Sequence, residues 1–161
     1  MSDFILHSKL DQDCFKIGNL PLCRVLMMND RQYPWFILVP RRAGVREIYE
    51  LSSEDQRIFW HESAWFSEQI MEIFNGEKLN VAALGNVVPQ LHVHHIVRNQ
   101  YDACWPSPVW GAVPPRPFSV EDAAARIENM ETLLSNYSAP EPVFTEAEAE
   151  ERWGGKRTKK K

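Results

Sequence analysis

The sequence predicts one α+β domain in which an antiparallel sheet of about five strands carries two main helices. Three observations lead there. Short apolar runs bounded by turn residues recur between Cys14 and Arg98, which is the pattern of strands joined by tight connections. Two longer segments, opening near Leu51 and Ser119, instead repeat apolar residues at helical spacing. The chain has 161 residues, 44% hydrophobic and 25% charged, enough for one globular unit with a real core. We assign residues 1–139 to this single domain and 140–161 to a carboxy-terminal extension with a basic tail.

Residues 2–12 suit a short helix or ordered arm, packed down by Phe4, Ile5 and Leu10. Residues 14–17 read as a short strand ended by the Gly18-Asn19 turn signal. Residues 22–28 and 33–40 are apolar strands joined by the polar turn 29–32. Pro34 stands early enough in its strand to cost no central ladder bond. Arg41 and Arg42, just after, read as solvated surface. Ser53 with Gln56 fits a capping box, and Glu54 and Asp55 suit the positive end of a helix dipole. That helix should reach about Phe74 and stop at Asn75-Gly76. Ile58, Phe59, Trp65, Phe66, Ile70, Ile73 and Phe74 form its core stripe, with His61 structural or exposed.

Residues 78–84 read as a strand, turned by Gly85-Asn86 into the next apolar run. Residues 99–117 are rich in proline and tryptophan and cannot form a long regular element. Ser119 caps the second helix, residues 120–135, whose inner stripe is Ala123, Ile127, Met130, Leu134 and Tyr137. Residues 145–148 carry a short capped-helix signal, and the basic end reads as a solvated tail. Net charge is −4, so nothing global argues for nucleic acid or a membrane surface. No run approaches the ~18 apolar residues of a membrane span, and the amino terminus lacks signal-peptide character. Three cysteines without pairing logic suit a reduced, cytoplasmic protein.

Three of the five histidines, His92, His94 and His95, fall within four positions of one apolar run. Period two places Gln90, His92 and His94 on one face of a strand, with Leu91, Val93 and His95 on the other. Three readings of the pair are open. The histidines can be structural, each satisfied by hydrogen bonds. They can chelate a metal, but that needs a third protein ligand, and His7, His61 and the scattered cysteines are poorly placed for it. Or a neutral imidazole, a good nucleophile toward phosphorus that titrates near working pH, can do chemistry there.

The run Gln90-Leu91-His92-Val93-His94, after Gly85-Asn86 and before Ile96-Val97-Arg98, resembles the signature of the histidine-triad (HIT) superfamily. That signature is His-φ-His-φ-His-φ-φ, with φ apolar, and this chain looks like a bacterial branch with Gln at the first histidine. The resemblance covers roughly residues 10–113. It implies that His92 is the nucleophile, that His94 contacts phosphate, and that Gln90 stands in the first position without carrying charge. It implies further that Asn86 contacts the reacting phosphate and that Gly85 lets the backbone approach it. Asn29, with Asp30 beside it, matches the group that holds ribose hydroxyls, although both are also common turn formers. Trp105 or Trp110 covers the site, packs at a subunit contact, or only anchors its loop.

Val87 departs from a Ser or Thr found in several branches, and His95 from an apolar residue. The resemblance implies a homodimer with the site on the exposed face of the last strand. The implied activity is that of a nucleotidyl hydrolase or transferase. It would cleave a nucleoside 5′-phosphate derivative at the α-phosphorus through a covalent nucleotidyl-histidine, with no cofactor or metal of its own and a small nucleotide as its partner. The rival classes are a nucleotide-binding module without catalysis and a metalloprotein using His92, His94 and an acidic residue.

Overall fold

Apolar side chains dominate residues 23–28 and 35–40 and make up half of 93–98, and these runs become the three inner strands of the sheet in the computed structural model. The structure describes residues 3–140 and the isolated positions 147 and 151. Apart from those two positions, the short helix expected at 145–148 and the basic tail lie outside the described residues. The strands are β1 (Cys14–Asn19), β2 (Cys23–Met28), β3 (Trp35–Pro40), β4 (Lys78–Ala82) and β5 (Val93–Arg98). They lie in the order β1-β2-β3-β5-β4, with every neighbouring pair antiparallel. The helices are α1 (Ser8–Asp13), α2 (Ser53–Ile73) and α3 (Val120–Leu134), with a 3-10 turn at Ile48–Glu50. The expected architecture is therefore present, with α1 as a third, short helix.

Alternation along β3 divides two hydrophobic cores. Phe36 and Leu38 join Val93 and Val97 of β5 against Phe59, Phe66 and Ile70 of α2 and Met130 of α3. Trp35, Ile37 and Val39 join Ile96 of β5 beneath Leu10 of α1, Val88 and Val109. With both faces covered, β3 and β5 are buried at every position; β3 accordingly reads as an unbroken apolar run, whereas β5 buries His94, His95 and Arg98 as well. Strand order places β5 between β3 and β4, so His94 has Ile37 and Ala82 as ladder partners, and His95 has Phe36 and Val81. Among the described residues, no helix is long and apolar enough to cross a membrane.

Several local expectations shift. The histidine strand starts at Val93, not Gln90; the preceding loop is held away by Leu91 N–H donating to the Val45 carbonyl. Its histidine face is not exposed, because α1 and the loop after β5 cover that side of the sheet. β1 runs through Gly18-Asn19 with a bulge between Lys16 and Gly18 rather than turning there. Ser52, one residue earlier than expected, caps α2 by accepting from the Asp55 N–H. In the stripes, Ile73 is half exposed and Leu133 takes the buried place expected of Leu134, while Ile5 in the arm is 79% exposed.

Candidate functional site

Between β4 and β5 the chain makes a tight loop, residues 83–92, that brings its own backbone against the histidines. Gly85 permits this. A Cβ there would stand 2.7 Å from the Val88 carbonyl oxygen and 2.8 Å from Cε1 of His92, closer than any ordinary contact, so only glycine lets the loop lie flat on the ring.

The hydrogen bonds assign each imidazole a tautomer, because a carbonyl only accepts and an indole N–H only donates. His92 Nδ1–H donates to the Gln90 carbonyl at 2.7 Å. Trp35 Nε1–H donates to His94 Nδ1 at 3.0 Å, and His94 Nε2–H donates to the Leu84 carbonyl at 3.0 Å. His95 Nδ1–H donates to the Val93 carbonyl at 2.9 Å, and its Nε2 accepts the Ser63 hydroxyl at 2.7 Å. The remaining ring nitrogen of the three, Nε2 of His92, carries a lone pair with no partner among the described residues. Alternation from β5 sends His95 to the α2 side, as expected, where it is a satisfied core histidine.

All three rings are held neutral. Burial lowers the His92 pKa below its usual 6.5, opposed by the bond to the Gln90 carbonyl. Burial, then the neighbouring His92 charge, takes His94 down to about 4, and burial does the same for His95. Unfolded histidines titrate near 6.5, so between pH 6.5 and 4 the unfolded chain binds more protons than the folded one. This contribution to stability is complete above pH 6.5 and is lost as pH falls toward 4. The urea midpoint should therefore drop between pH 7 and 4.5, with a shallower drop in His95→Gln, which removes one titrating ring. An identical slope in the variant would contradict the assignment.

Two clefts flank these rings. One, of about 140 Å³, is lined by Gly85, Asn86, Gln90 and His92, with Arg46 and Glu47 on the other wall. It has room for a phosphate group, with one cation, Arg46, and one anion, Glu47, in its lining. The other, of about 430 Å³, is lined by Met28, Asn29, Asp30, Trp35 and Trp110, with Asp13 of α1 at its side. The His94 ring stands between the clefts, 5.1 Å from His92, 5.2 Å from Trp110 and 5.8 Å from Trp35 by ring centres.

The structure thus brings His92, Asn86, Gly85 and Gln90 to one cleft and Asn29 and Asp30 to the other. Asn29 and Asp30 are turn formers as well as lining residues. Asn29 Oδ1 accepts the Phe118 N–H at 3.0 Å, and Asp30 Oδ1 accepts from the Gln32 and Arg116 backbones. His94 spends its donor on Leu84, so no N–H of this ring points into the phosphate-sized cleft in this state. Gln90 does not share a strand face with the histidines; its side chain turns to the amino-terminal arm. Val87 is 75% exposed. Arg41 and Arg42 are not simply solvated: Arg41 bonds the carbonyls of Leu20, Pro21 and Leu22, and Arg42 pairs with Asp55. Among the described residues, no group of three or more His, Cys, Asp or Glu side chains is gathered to hold a metal.

Two supports had no clear sequence signal. Trp35 fixes the His94 tautomer, and nothing local marks it among the aromatic residues of β3. Arg98, at the end of β5, pairs with buried Asp102 at 2.6 Å, and bonds Asn80 and the Ser107 carbonyl. Its guanidinium also lies against the Tyr33 and Trp105 rings. It thereby folds the proline-rich loop over the sheet and delivers Trp110 to the cleft, while Trp105 stays at the arginine. The Arg-x-x-x-Asp spacing was the available clue.

Residues 9–101 match the family model described as HIT domain. A histidine triad protein from Marinobacter aquaeolei VT8 is 52% identical over 85% of this chain and 100% of its own, with a TM-score of 0.82. Histidine triad proteins from Bradyrhizobium japonicum and Sinorhizobium meliloti 1021 are 43% and 40% identical, with TM-scores of 0.79 and 0.78. The Bradyrhizobium match covers 81% of this chain and 98% of the relative, the Sinorhizobium match 80% and 96%. No curated protein matches.

Proposed function

Because the chain belongs to the HIT domain family, whose members are typically nucleotide hydrolases and transferases, we propose that it cleaves a nucleoside 5′-phosphate derivative at the α-phosphorus. The observation that carries this reading is the free Nε2 lone pair of neutral His92 beside a phosphate-sized cleft. In the proposed reaction Nε2 attacks phosphorus in line, the bond to the leaving group breaks, and a nucleotidyl-histidine forms. Water or a second acceptor then attacks the same phosphorus and breaks the P–N bond, returning the electron pair to His92. The Gln90 carbonyl, accepting Nδ1–H, keeps that nitrogen protonated and stabilises the positive charge that grows on the ring during attack. Asn86 and the Gly85 backbone line the place where the non-bridging oxygens would sit, and Arg46 faces them.

His94 holds the Leu84 carbonyl and Trp35 around the nucleophile, and it reaches a phosphate oxygen only by exchanging the Leu84 bond. Asn29 and Asp30, in the larger cleft walled by Trp35 and Trp110, are proposed to receive the nucleoside. A cytoplasmic homodimer goes with this reading. The half-exposed Val81 and Leu84, on and just beyond edge strand β4, support an assembly there; sedimentation at the mass of one chain would contradict it.

The test is mass spectrometry after brief incubation with adenosine 5′-phosphoramidate or diadenosine tetraphosphate, quenched in alkali. A gain of one adenylyl mass, or AMP release that requires His92, supports the proposal. Saturable nucleotide binding by calorimetry without product identifies a binding module instead.

A further inference from the structure

Gln90 is joined to two things at once. Its side-chain Oε1 accepts the His7 N–H at 2.9 Å, and its Nε2 donates to the Ile5 carbonyl at 2.8 Å. These two backbone groups straddle Leu6 and meet the carboxamide along one edge, as a neighbouring peptide unit would. Gln90's own carbonyl is the group that holds His92 Nδ1–H. The arm continues into α1, with the His7 ring accepting the Lys9 N–H, and α1 contributes Gln12 and Asp13 to the larger cleft.

We propose that Gln90 is a positioning residue that clamps the amino-terminal arm at Ile5 and His7 onto the histidine loop and so holds the carbonyl that fixes His92 for attack. This rests on the catalytic reading of His92. The chemistry explains why a carboxamide stands here. A carboxamide carries a donor and an acceptor on one edge, whereas the two nitrogens of an imidazole point to opposite sides of the ring. A histidine at position 90 can satisfy Ile5 or His7, but not both. Glutamate keeps the acceptor for His7 and sets an anion against the Ile5 carbonyl.

The test compares full-length wild type with Gln90→Met, which keeps length and loses both bonds, and with Gln90→Glu and Gln90→His. Three quantities are read: amide exchange at His7, the His92 tautomer from long-range ¹H–¹⁵N spectra, and kcat and KM for adenosine 5′-phosphoramidate. The clamp predicts faster His7 exchange in Gln90→Met, which loses the acceptor, and retained His7 protection in Gln90→Glu, which keeps it. It predicts mixed His92 tautomers in Gln90→Met and a kcat lower by about tenfold or more, with KM changed far less, as expected for a misplaced reacting group. Gln90→His should not restore either bond pattern or rate. A single His92 tautomer with wild-type His7 protection in Gln90→Met would overturn the proposal. So would a Gln90→His protein as active as wild type with His7 still protected. If the spectra change as predicted while wild type turns over no nucleotide, the clamp stands and the proposed activity fails.

Discussion

His92→Ala is expected to lower turnover by on the order of 10⁴-fold or more, the scale seen when a covalent nucleophile is removed, while the domain stays folded. The geometry makes the effect specific to this ring. His94 and His95 have both nitrogens engaged, so neither offers a lone pair to replace the missing one without breaking a buried bond. His92 stands in the loop before β5 rather than in the ladder, and its ring makes one hydrogen bond, to Gln90. Losing it therefore removes little that holds the sheet. Single-turnover AMP release, together with a thermal unfolding curve for the variant, checks both halves. Nucleotide cleavage at the wild-type rate by His92→Ala would rule out the covalent route.

Arg98→Met should produce the largest loss of stability, about 3–5 kcal/mol, or on the order of 10 °C in Tm for a domain of this size. Arg98 is 1% exposed, and its Asp102 partner is nearly as buried. Burial alone would raise the Asp102 pKa, but the Arg98 guanidinium and the backbone N–H groups of Cys104 and Asn99 override it and hold the carboxyl below its usual value. Removing the arginine leaves that carboxylate buried without its counter-charge, along with Asn80 and the Ser107 carbonyl deprived of donors. The loop that carries Trp110 should then loosen, so nucleotide affinity falls as well. Calorimetric unfolding of Arg98→Met beside Arg98→Lys measures the effect. Lysine restores the charge but not the fork that meets Asp102 through two nitrogens, and it should recover only part of the loss.

Much of the architecture was legible because it is written in local patterns. The apolar runs at β2, β3 and β5, the capped stripe of α2 and the Ser119 start of α3 each depend on neighbours a few residues away. The errors fell where distant parts of the chain intervene. The Val45 carbonyl draws Leu91 out of the strand, so the alternation through Gln90 and His92 does not become a strand face. The covering of the second sheet face by α1 and the 99–117 loop buried a strand face that alternation alone left open.

The sequence by itself determined that three histidines gather at one apolar run beside a glycine turn, and that the run feeds a strand of an antiparallel sheet. Only the tertiary structure decided which of their nitrogens is free. That choice rests on Trp35 from β3, Leu84 from the loop after β4, and Ser63 from α2, groups that meet the histidines only once the strands have paired and α2 has docked. A tautomer is set by the hydrogen-bond partner of the other ring nitrogen, and apart from the carbonyls next to the histidines, those partners lie far away in sequence.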